Sequence, residues 1–209
     1  MNVAAATPEY ICTRIAGELA TVGWSVCADF LPPEQIAALA GELRARWVQG
    51  EFHQAGVGSG ANPHLRQDIR NDRVYWLDDA AQTAAQSPYF IALESLRLAL
   101  NRQLFLGLFS FEGHMAAYPP GSFYARHLDQ FQGVAHRKVS VVLYLNNDWQ
   151  ADDGGQLRLY LQENNAEKYI DVLPCGGTLA CFLSDRFYHE VLSATRERLS
   201  VTGWFRVRV

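Results

Sequence analysis

The sequence predicts a β-sheet core of the sandwich or barrel type, braced by helices at its N-terminal end. Two observations carry this prediction. Apolar residues recur at helical spacing in the first half, whereas short runs rich in Val, Leu, Tyr and Phe alternate with turn residues from position 105 onward. No repeat, low-complexity tract or linker separates the halves. We therefore predict one domain over residues 1–209, with mainly helical support in 1–104 and the β core in 105–209.

Three helices are predicted in the first half. Thr7 and Pro8 suit an N-cap followed by proline at the first helical position, where a missing N–H costs nothing. Further helices begin near Pro33 and at Ser87, and residues 23–30 suggest a short strand. The second and third helices each have one apolar face, formed by Ile36, Leu39, Ala40, Leu43 and Trp47, and by Phe90, Leu93, Leu96, Leu100 and Leu104.

Between the second and third helices, residues 52–67 contain glycines and a proline and show no hydrophobic period. Unpatterned loops of this length in compact domains often cover a site. Composition alone leaves a surface loop and a lid equally open.

The second half is predicted to contain a series of strands. Many short strands separated by turns are typical of a sandwich or barrel. The predicted strands are 138–146, 156–161, 169–173, 178–182 and 198–209, and the turn signals between them lie at 152–155, 174–177 and 184–186.

Charge and composition exclude several classes of protein. The net charge of −4 argues against general nucleic-acid binding, which needs a basic surface, although it leaves a local basic cleft possible. No apolar run reaches the roughly 18 residues of a membrane span, and residues 1–6 lack the pattern of a signal peptide. The expected location is the cytoplasm. Free thiols suit that reducing compartment, since no CxxC or zinc-ribbon spacing joins Cys12, Cys27, Cys175 and Cys181.

A candidate metal site lies in the run FYARHLD, residues 123–129. If this run is a strand, His127 and Asp129 point to the same face, because residues two apart alternate back to it. His189 is the candidate third ligand. Two histidines and one carboxylate on one face of a metal form the facial triad of non-haem Fe(II) oxygenases. His-x-Asp alone is a weak motif, and a lone histidine is more often structural.

Arg198 strengthens the metal hypothesis. It follows His189 by nine residues and begins the last predicted strand, where Arg198, Thr202 and Trp204 share one face. A guanidinium offers two parallel donors to a carboxylate, and a threonine hydroxyl can add a third. A surface salt bridge would also account for Arg198, but not for its position after the triad. Trp204 is a candidate pocket wall, whereas core packing is predicted for Trp76 and Trp149.

Together these residues resemble the prolyl 4-hydroxylase branch of the Fe(II)- and 2-oxoglutarate-dependent oxygenases. The resemblance is strongest to the stand-alone bacterial members of the Pseudomonas type, and it extends to the hypoxia-inducible-factor prolyl hydroxylases. It covers roughly residues 54–206. The segments that carry it, in order, are 68–72 (DIRND), 118–121 (YPPG), 124–129 (YARHLD), 144–149 (YLNNDW), 153–158 (DGGQLR) and 182–186 (FLSDR).

The resemblance implies a double-stranded β-helix, that is a cupin-like jelly roll, with 105–209 as the catalytic β core. It implies Fe(II) on the triad, with 2-oxoglutarate and dioxygen as cosubstrates and ascorbate as a candidate reductant. It places Tyr144 and Thr202 with Arg198 at the distal 2-oxoglutarate carboxylate, and Tyr118 near the metal and cosubstrate.

On the substrate side, the resemblance implies that Arg137 faces the substrate. It also implies that Arg70 and Asp72, at the end of a mobile loop over 52–72, contact substrate or stabilise the closed loop. Trp204 is a further candidate substrate contact, because it shares a strand face with Arg198 and Thr202. The expected partner is a protein with a prolyl residue in an exposed loop, with elongation factor Tu as first candidate. Two alternatives stay open: an oxygenase acting on a free small molecule, and a non-catalytic cupin-like metal-binding module.

Overall fold

The computed structural model describes residues 7–56, 66, 68–130, 136–163 and 166–208. The three predicted helices are confirmed as α1 (Pro8–Thr21), α2 (Pro33–Val48) and α3 (Ser87–Leu104). At the start of α1, the Thr7 hydroxyl accepts a hydrogen bond of 3.3 Å from the Tyr10 N–H, as predicted for an N-cap. Within the described ranges, no helix combines the length and apolar character needed to cross a membrane.

Two antiparallel sheets form the β core. The larger sheet has seven strands in the order β1-β9-β6-β11-β4-β3-β2, and the smaller sheet has the order β5-β10-β7-β8. The strands of the larger sheet are β1 (Trp24–Cys27), β2 (His53–Gln54), β3 (Arg73–Trp76), β4 (Leu108–Tyr118), β6 (Arg137–Tyr144), β9 (Leu179–Leu183) and β11 (Arg198–Val207). Those of the smaller sheet are β5 (Tyr124–His127), β7 (Leu157–Glu163), β8 (Ala166–Val172) and β10 (His189–Val191).

Each face of the larger sheet is buried against a different layer. On the outer face, Leu199, Val201 and Phe205 of β11 join a core that includes the apolar faces of the helices. On the inner face, Ala116 and Val142 pack in a second core with apolar residues of the smaller sheet. The helices thus support one side of the larger sheet, and the site lies on the other side, between the two sheets.

Some predicted boundaries were wrong. The run 123–129 does not form one strand, because β5 ends at His127 and Asp129 lies in the turn that follows. The long strand β4 was not recognised, although it pairs with β11 from Tyr118 opposite Arg198 to Leu108 opposite Val207. Of the predicted loop, 57–65 and 67 lie outside the described residues. The four cysteines are free, as predicted.

Candidate metal centre and its pocket

The predicted triad comes together at the edge of the smaller sheet. His127 and His189 lie directly opposite each other in the pairing of β5 with β10. Asp129 approaches from the turn after β5, with its two carboxylate oxygens 3.5 Å from His127 Nε2 and 3.6 Å from His189 Nε2. Ligand atoms from all three residues lie within 4.8 Å of one another. This donor set matches a facial triad, which leaves open positions on a bound metal.

Backbone carbonyls orient both imidazoles. His127 Nδ1 lies 2.9 Å from the carbonyl oxygen of Ala125, and His189 Nδ1 lies 3.1 Å from that of Phe187. A carbonyl can only accept, so each Nδ1 carries the proton and each Nε2 keeps its lone pair for a metal. Burial lowers the pKa of His189 to about 4, so this imidazole is neutral and able to ligate near pH 7.

The Asp129 carboxylate is fixed by a buried serine pair. Ser140 on β6 donates a 2.6 Å hydrogen bond to Asp129 Oδ2, and Ser140 itself lies 2.9 Å from the Ser184 hydroxyl. Burial alone would raise the pKa of Asp129, but the two histidines and the Ser140 hydrogen bond outweigh it and lower the pKa below its ordinary value. The carboxylate is therefore ionised, as a metal ligand must be.

Arg198 is buried without an acidic partner in the described part of the chain. Its side chain lies at the start of β11 and is 1% exposed, which rules out the surface salt bridge considered above. Its Nε donates a 2.8 Å hydrogen bond to the Gly155 carbonyl, and Nη1 lies 3.5 Å from the Ser200 hydroxyl. An uncompensated buried charge is costly, so this guanidinium suits a ligand that brings a carboxylate.

Two tyrosines flank this guanidinium. Arg198 Cζ lies 4.9 Å from the ring centroid of Tyr118 and 5.1 Å from that of Tyr144. The Tyr144 hydroxyl is buried, has no hydrogen-bond partner among the described residues, and has a pKa raised to about 12 by burial. It therefore stays protonated and can donate to an anion beside Arg198. Thr202 lies four residues after Arg198 on β11, on the same side of the strand, and lines the same cavity.

The cavity that contains the triad and Arg198 has a volume of about 990 Å³. Its far wall is aromatic: the His114 ring lies 4.9 Å from the Trp76 ring and 5.6 Å from the Trp204 ring. Trp149 is buried, as predicted, but core packing was wrong for Trp76, which is 46% exposed and lines the cavity. A pocket of this size, lined by both aromatic and charged side chains, suits a side chain or small molecule.

Arg137 lies on this aromatic wall and lines the cavity, and its contact with substrate remains a prediction. Its Cζ lies 3.7 Å from the Trp204 ring centroid, and its Nη2 donates to Glu112, which also accepts from Arg206 Nη1. Burial, and then the positive charges of Arg70 and Arg137, lower the pKa of His114 to about 3. His114 is therefore a neutral imidazole, and its Nδ1 lacks a hydrogen-bond partner within the described ranges.

Arg70 and Asp72 contact each other. The Arg70 guanidinium donates two hydrogen bonds, of 2.7 and 2.6 Å, to the Asp72 carboxylate. Asp72 is fully buried, whereas Arg70 lines the cavity and lies over the Tyr124 ring. Of the two, Arg70 is placed to reach a substrate, and the substrate contacts of both remain predictions.

Sequence reasoning missed His114, Ser140 and Tyr124. No motif marks Ser140, which lies on β6 of the larger sheet and meets Asp129, after β5 of the smaller sheet, only because the two sheets face each other. Tyr124 and His127 are three residues apart and would point to opposite faces of a regular strand. A bulge sets the three-residue step from Tyr124 to His127 on β5 against the two-residue step from Val191 to His189 on β10. Pairing β4 with β11 would have placed His114 opposite Thr202.

Comparison with known proteins agrees with this site. The 2OG-Fe(II) oxygenase superfamily model matches residues 113–206, which contain the triad and Arg198. A crystal structure of a Pseudomonas putida prolyl-4-hydroxylase is 47% identical, with a TM-score of 0.85 over 95% of this chain and 100% of that chain. The chain therefore belongs to the 2OG-Fe(II) oxygenase superfamily, and the resemblance to the bacterial prolyl 4-hydroxylases is confirmed.

Animal prolyl hydroxylases are also similar. A Trichoplax adhaerens prolyl hydroxylase, solved with a hypoxia inducible factor oxygen degradation domain peptide fragment, is 27% identical, with a TM-score of 0.85 over 95% of this chain and 90% of that chain. Human Egl nine homolog 1 is 31% identical over 88% of this chain, which spans 43% of the human protein. The predicted double-stranded β-helix is confirmed, and family membership implies Fe(II), 2-oxoglutarate and dioxygen.

Proposed function

We propose that this protein is an Fe(II)- and 2-oxoglutarate-dependent prolyl 4-hydroxylase that acts on a prolyl residue in an exposed loop of a partner protein. The observation that carries the proposal is the buried Arg198, which has no acidic partner in the described part of the chain and faces the same cavity as the triad. The similarity to prolyl hydroxylases over nearly the whole chain supports the substrate class.

The side chains that line the cavity fit Fe(II) and 2-oxoglutarate. His127, Asp129 and His189 would hold the iron, and Arg198 with Tyr144 and Thr202 would hold the distal carboxylate of 2-oxoglutarate. When bound, iron, 2-oxoglutarate and dioxygen supply the oxidation: 2-oxoglutarate becomes succinate and carbon dioxide, and one oxygen atom enters a substrate C–H bond.

The chain itself supplies orientation and excludes water. Ser140 fixes the Asp129 carboxylate, so the ligand face does not have to rearrange when a metal binds. On the opposite wall, Trp76 and Trp204 offer flat apolar surfaces to a proline ring, whose restricted geometry presents C4 in a fixed orientation. Arg137, held over Trp204, can donate to a substrate carbonyl from there.

The test is succinate release by the iron-loaded protein with 2-oxoglutarate, in the presence and absence of a prolyl peptide. The matched control is the same peptide with alanine in place of the proline. Stimulation by the prolyl peptide alone, with a mass increase of one oxygen on that proline, is the expected result. Amino-acid analysis of the product then distinguishes 4-hydroxyproline from its 3-isomer. Omitting ascorbate tests whether the protein needs that reductant.

Elongation factor Tu is the first protein to test, because the resemblance to the Pseudomonas type suggested it. Intact factor and loop peptides from it are incubated with the protein, and each proline-containing fragment is sequenced by mass spectrometry. Oxygen on a free metabolite, with no prolyl protein modified in a lysate, would replace the proposal with a small-molecule oxygenase. Absence of succinate under all conditions would leave a non-catalytic metal-binding module.

A further inference from the structure

The His127 imidazole is stacked on a tyrosine. The ring centroids of Tyr124 and His127 lie 3.6 Å apart, with an angle of 13° between the ring planes. Arg70 Cζ lies 4.2 Å from the centroid of the same Tyr124 ring. Two groups this close to one ring centre cannot share a face, so the tyrosine ring lies between the guanidinium and the imidazole. A continuous stack thus joins Arg70 to a metal ligand.

Asp72 binds the Arg70 guanidinium at the end of this stack. Its fully buried carboxylate accepts both hydrogen bonds of the Arg70 fork, which fixes the plane of the guanidinium. The pair also cancels the charge of Arg70. An unpaired guanidinium behind His127 would oppose a divalent cation, whereas the neutral pair leaves the π-face of Tyr124 free to favour a positively polarised imidazole.

Backbone hydrogen bonds attach the same segment to the ligand-bearing strand. Arg70 forms an antiparallel bridge with Tyr124, and the Ala125 N–H donates a 2.8 Å hydrogen bond to the Ile69 carbonyl. The Phe123 N–H donates to the Asn71 side chain at 2.8 Å. Residues 69–72 therefore lie along the free edge of β5, whose other edge pairs with β10. The smaller sheet continues from His189 through His127 into this segment.

His127 needs such support more than His189 does. The His127 side chain is 18% exposed, against 6% for His189. His189 lies on β10, between β5 and β7. The centroid of its ring lies 4.8 Å from that of the buried Phe182 ring. His127 ends its strand, and its Nδ1 hydrogen bond to Ala125 is local. The Tyr124 ring stacks parallel on this imidazole, whereas the His189 ring, with its centroid 4.2 Å away, is tilted by 56°.

We propose that Tyr124, backed by the Arg70–Asp72 pair, is a positioning residue that holds His127 in its ligating orientation, so that docking of residues 69–72 on β5 controls how long the centre retains its metal. We call Arg70, Asp72 and Tyr124 the Tyr124 clamp. The inference rests on the metal centre of the proposed function and is independent of the proposed substrate.

The chain contains a matched control for this clamp. Arg158 donates two hydrogen bonds of 2.8 Å to Asp171, and its Cζ lies 3.9 Å from the Tyr169 ring. The same three residue types thus form the same stack at the far side of the smaller sheet. Tyr169 is on β8, two strands away from His189. Substitution there removes a more exposed arrangement of the same residue types without touching the metal ligands.

The experiment measures metal retention rather than activity. Metal-free wild-type, Tyr124→Leu, Tyr124→Phe and Tyr169→Leu proteins are loaded with Co(II). Affinity is measured by chelator competition, dissociation by stopped-flow chelator capture, and ligand geometry by the visible absorption bands. Loss of an aromatic stack predicts about three- to tenfold faster dissociation for Tyr124→Leu. Tyr124→Phe keeps the ring and is expected to retain the wild-type rate, as is Tyr169→Leu.

A second variant, Arg70→Met, keeps the Tyr124 ring but removes the guanidinium behind it and leaves Asp72 unpaired. It is expected to change the absorption bands and to speed dissociation, because the Tyr124 ring loses the guanidinium that backs it on the side away from His127. Melting temperatures of the metal-free proteins separate these effects from general unfolding. Wild-type dissociation in Tyr124→Leu, or an equal increase in Tyr169→Leu, would overturn the clamp. Clamp behaviour as expected, with no prolyl peptide hydroxylated, would overturn the proposed function alone.

Discussion

Replacing Arg198 by methionine is the sharpest test of the cosubstrate pocket. Methionine is unbranched and fills part of the same space, but it removes the charge that faces the cavity. Truncating one partner of a buried hydrogen-bonded charge pair typically costs about 2–5 kcal/mol. At about 1.4 kcal/mol per factor of ten, the dissociation constant for 2-oxoglutarate is expected to rise roughly 30-fold to several thousand-fold.

Stability in the absence of 2-oxoglutarate gives the second half of this prediction. Arg198→Met leaves the Gly155 carbonyl without its donor, which costs about 1–3 kcal/mol. It also removes a buried charge whose desolvation costs several kcal/mol. We therefore expect the ligand-free variant to melt at the wild-type temperature or above it, and to gain little stability when 2-oxoglutarate is added.

The assay is calorimetric titration of 2-oxoglutarate into Mn(II)-loaded protein, with thermal melts at matched ligand concentrations. Arg158→Met is the control, since Arg158 is paired with Asp171 on the smaller sheet and should not change the titration. Metal affinity should be unchanged in both variants. Wild-type 2-oxoglutarate affinity in Arg198→Met would refute the cosubstrate assignment. A large drop in ligand-free stability would instead show that Arg198 has a structural role.

Three further predictions concern the metal centre and the aromatic wall. Alanine at His127, Asp129 or His189 should weaken Co(II) binding by orders of magnitude and abolish succinate release, as measured by chelator competition and turnover; full activity in all three would remove the triad. Ser140→Ala should weaken metal affinity by about 10–100-fold while the protein stays folded, because Asp129 loses the hydrogen bond that orients it. The pKa of His114 is lowered to about 3 in the folded protein, so between about pH 6.5 and 3 the unfolded chain binds a proton that the folded chain does not. The free energy of unfolding therefore falls as pH falls through that window. At pH 5.5 this contribution is about 1.4 kcal/mol, so denaturant titrations of a His114→Phe variant should show a correspondingly flatter pH dependence than wild type.

The candidate metal ligands could be predicted from the sequence, because the spacing between them does not depend on where the strands begin and end. His127 and Asp129 were predicted from a two-residue period, yet β5 ends at His127 and Asp129 reaches the site from a turn. The two side chains do come together, through geometry that differs from the premise, and their role as metal ligands stays a prediction. Arg198 and Trp204 were placed correctly because β11 is a regular strand with a strict period of two.

The rest of the site depends on contacts between distant strands. His114 was missed because β4 was not recognised, and Ser140 because its role arises only where β6 passes Asp129. Tyr124 was missed for a different reason, since a bulge in β5 breaks the period that sequence reasoning uses. Strand register and bulges are set by tertiary packing, which the local pattern does not encode.

Charge pairing distinguishes the roles of the arginines that line the cavity. Arg70 is paired with Asp72, and Arg137 is paired with Glu112. Each arginine can therefore pack against its neighbouring ring, Tyr124 or Trp204, without a bound anion to balance its charge. Arg198 is more deeply buried than either and has no such carboxylate within the described ranges. A buried charge without a partner costs stability, and a ligand that brings the opposite charge offsets that cost. We therefore expect the paired arginines to shape the pocket and the unpaired one to favour an occupant that carries a carboxylate.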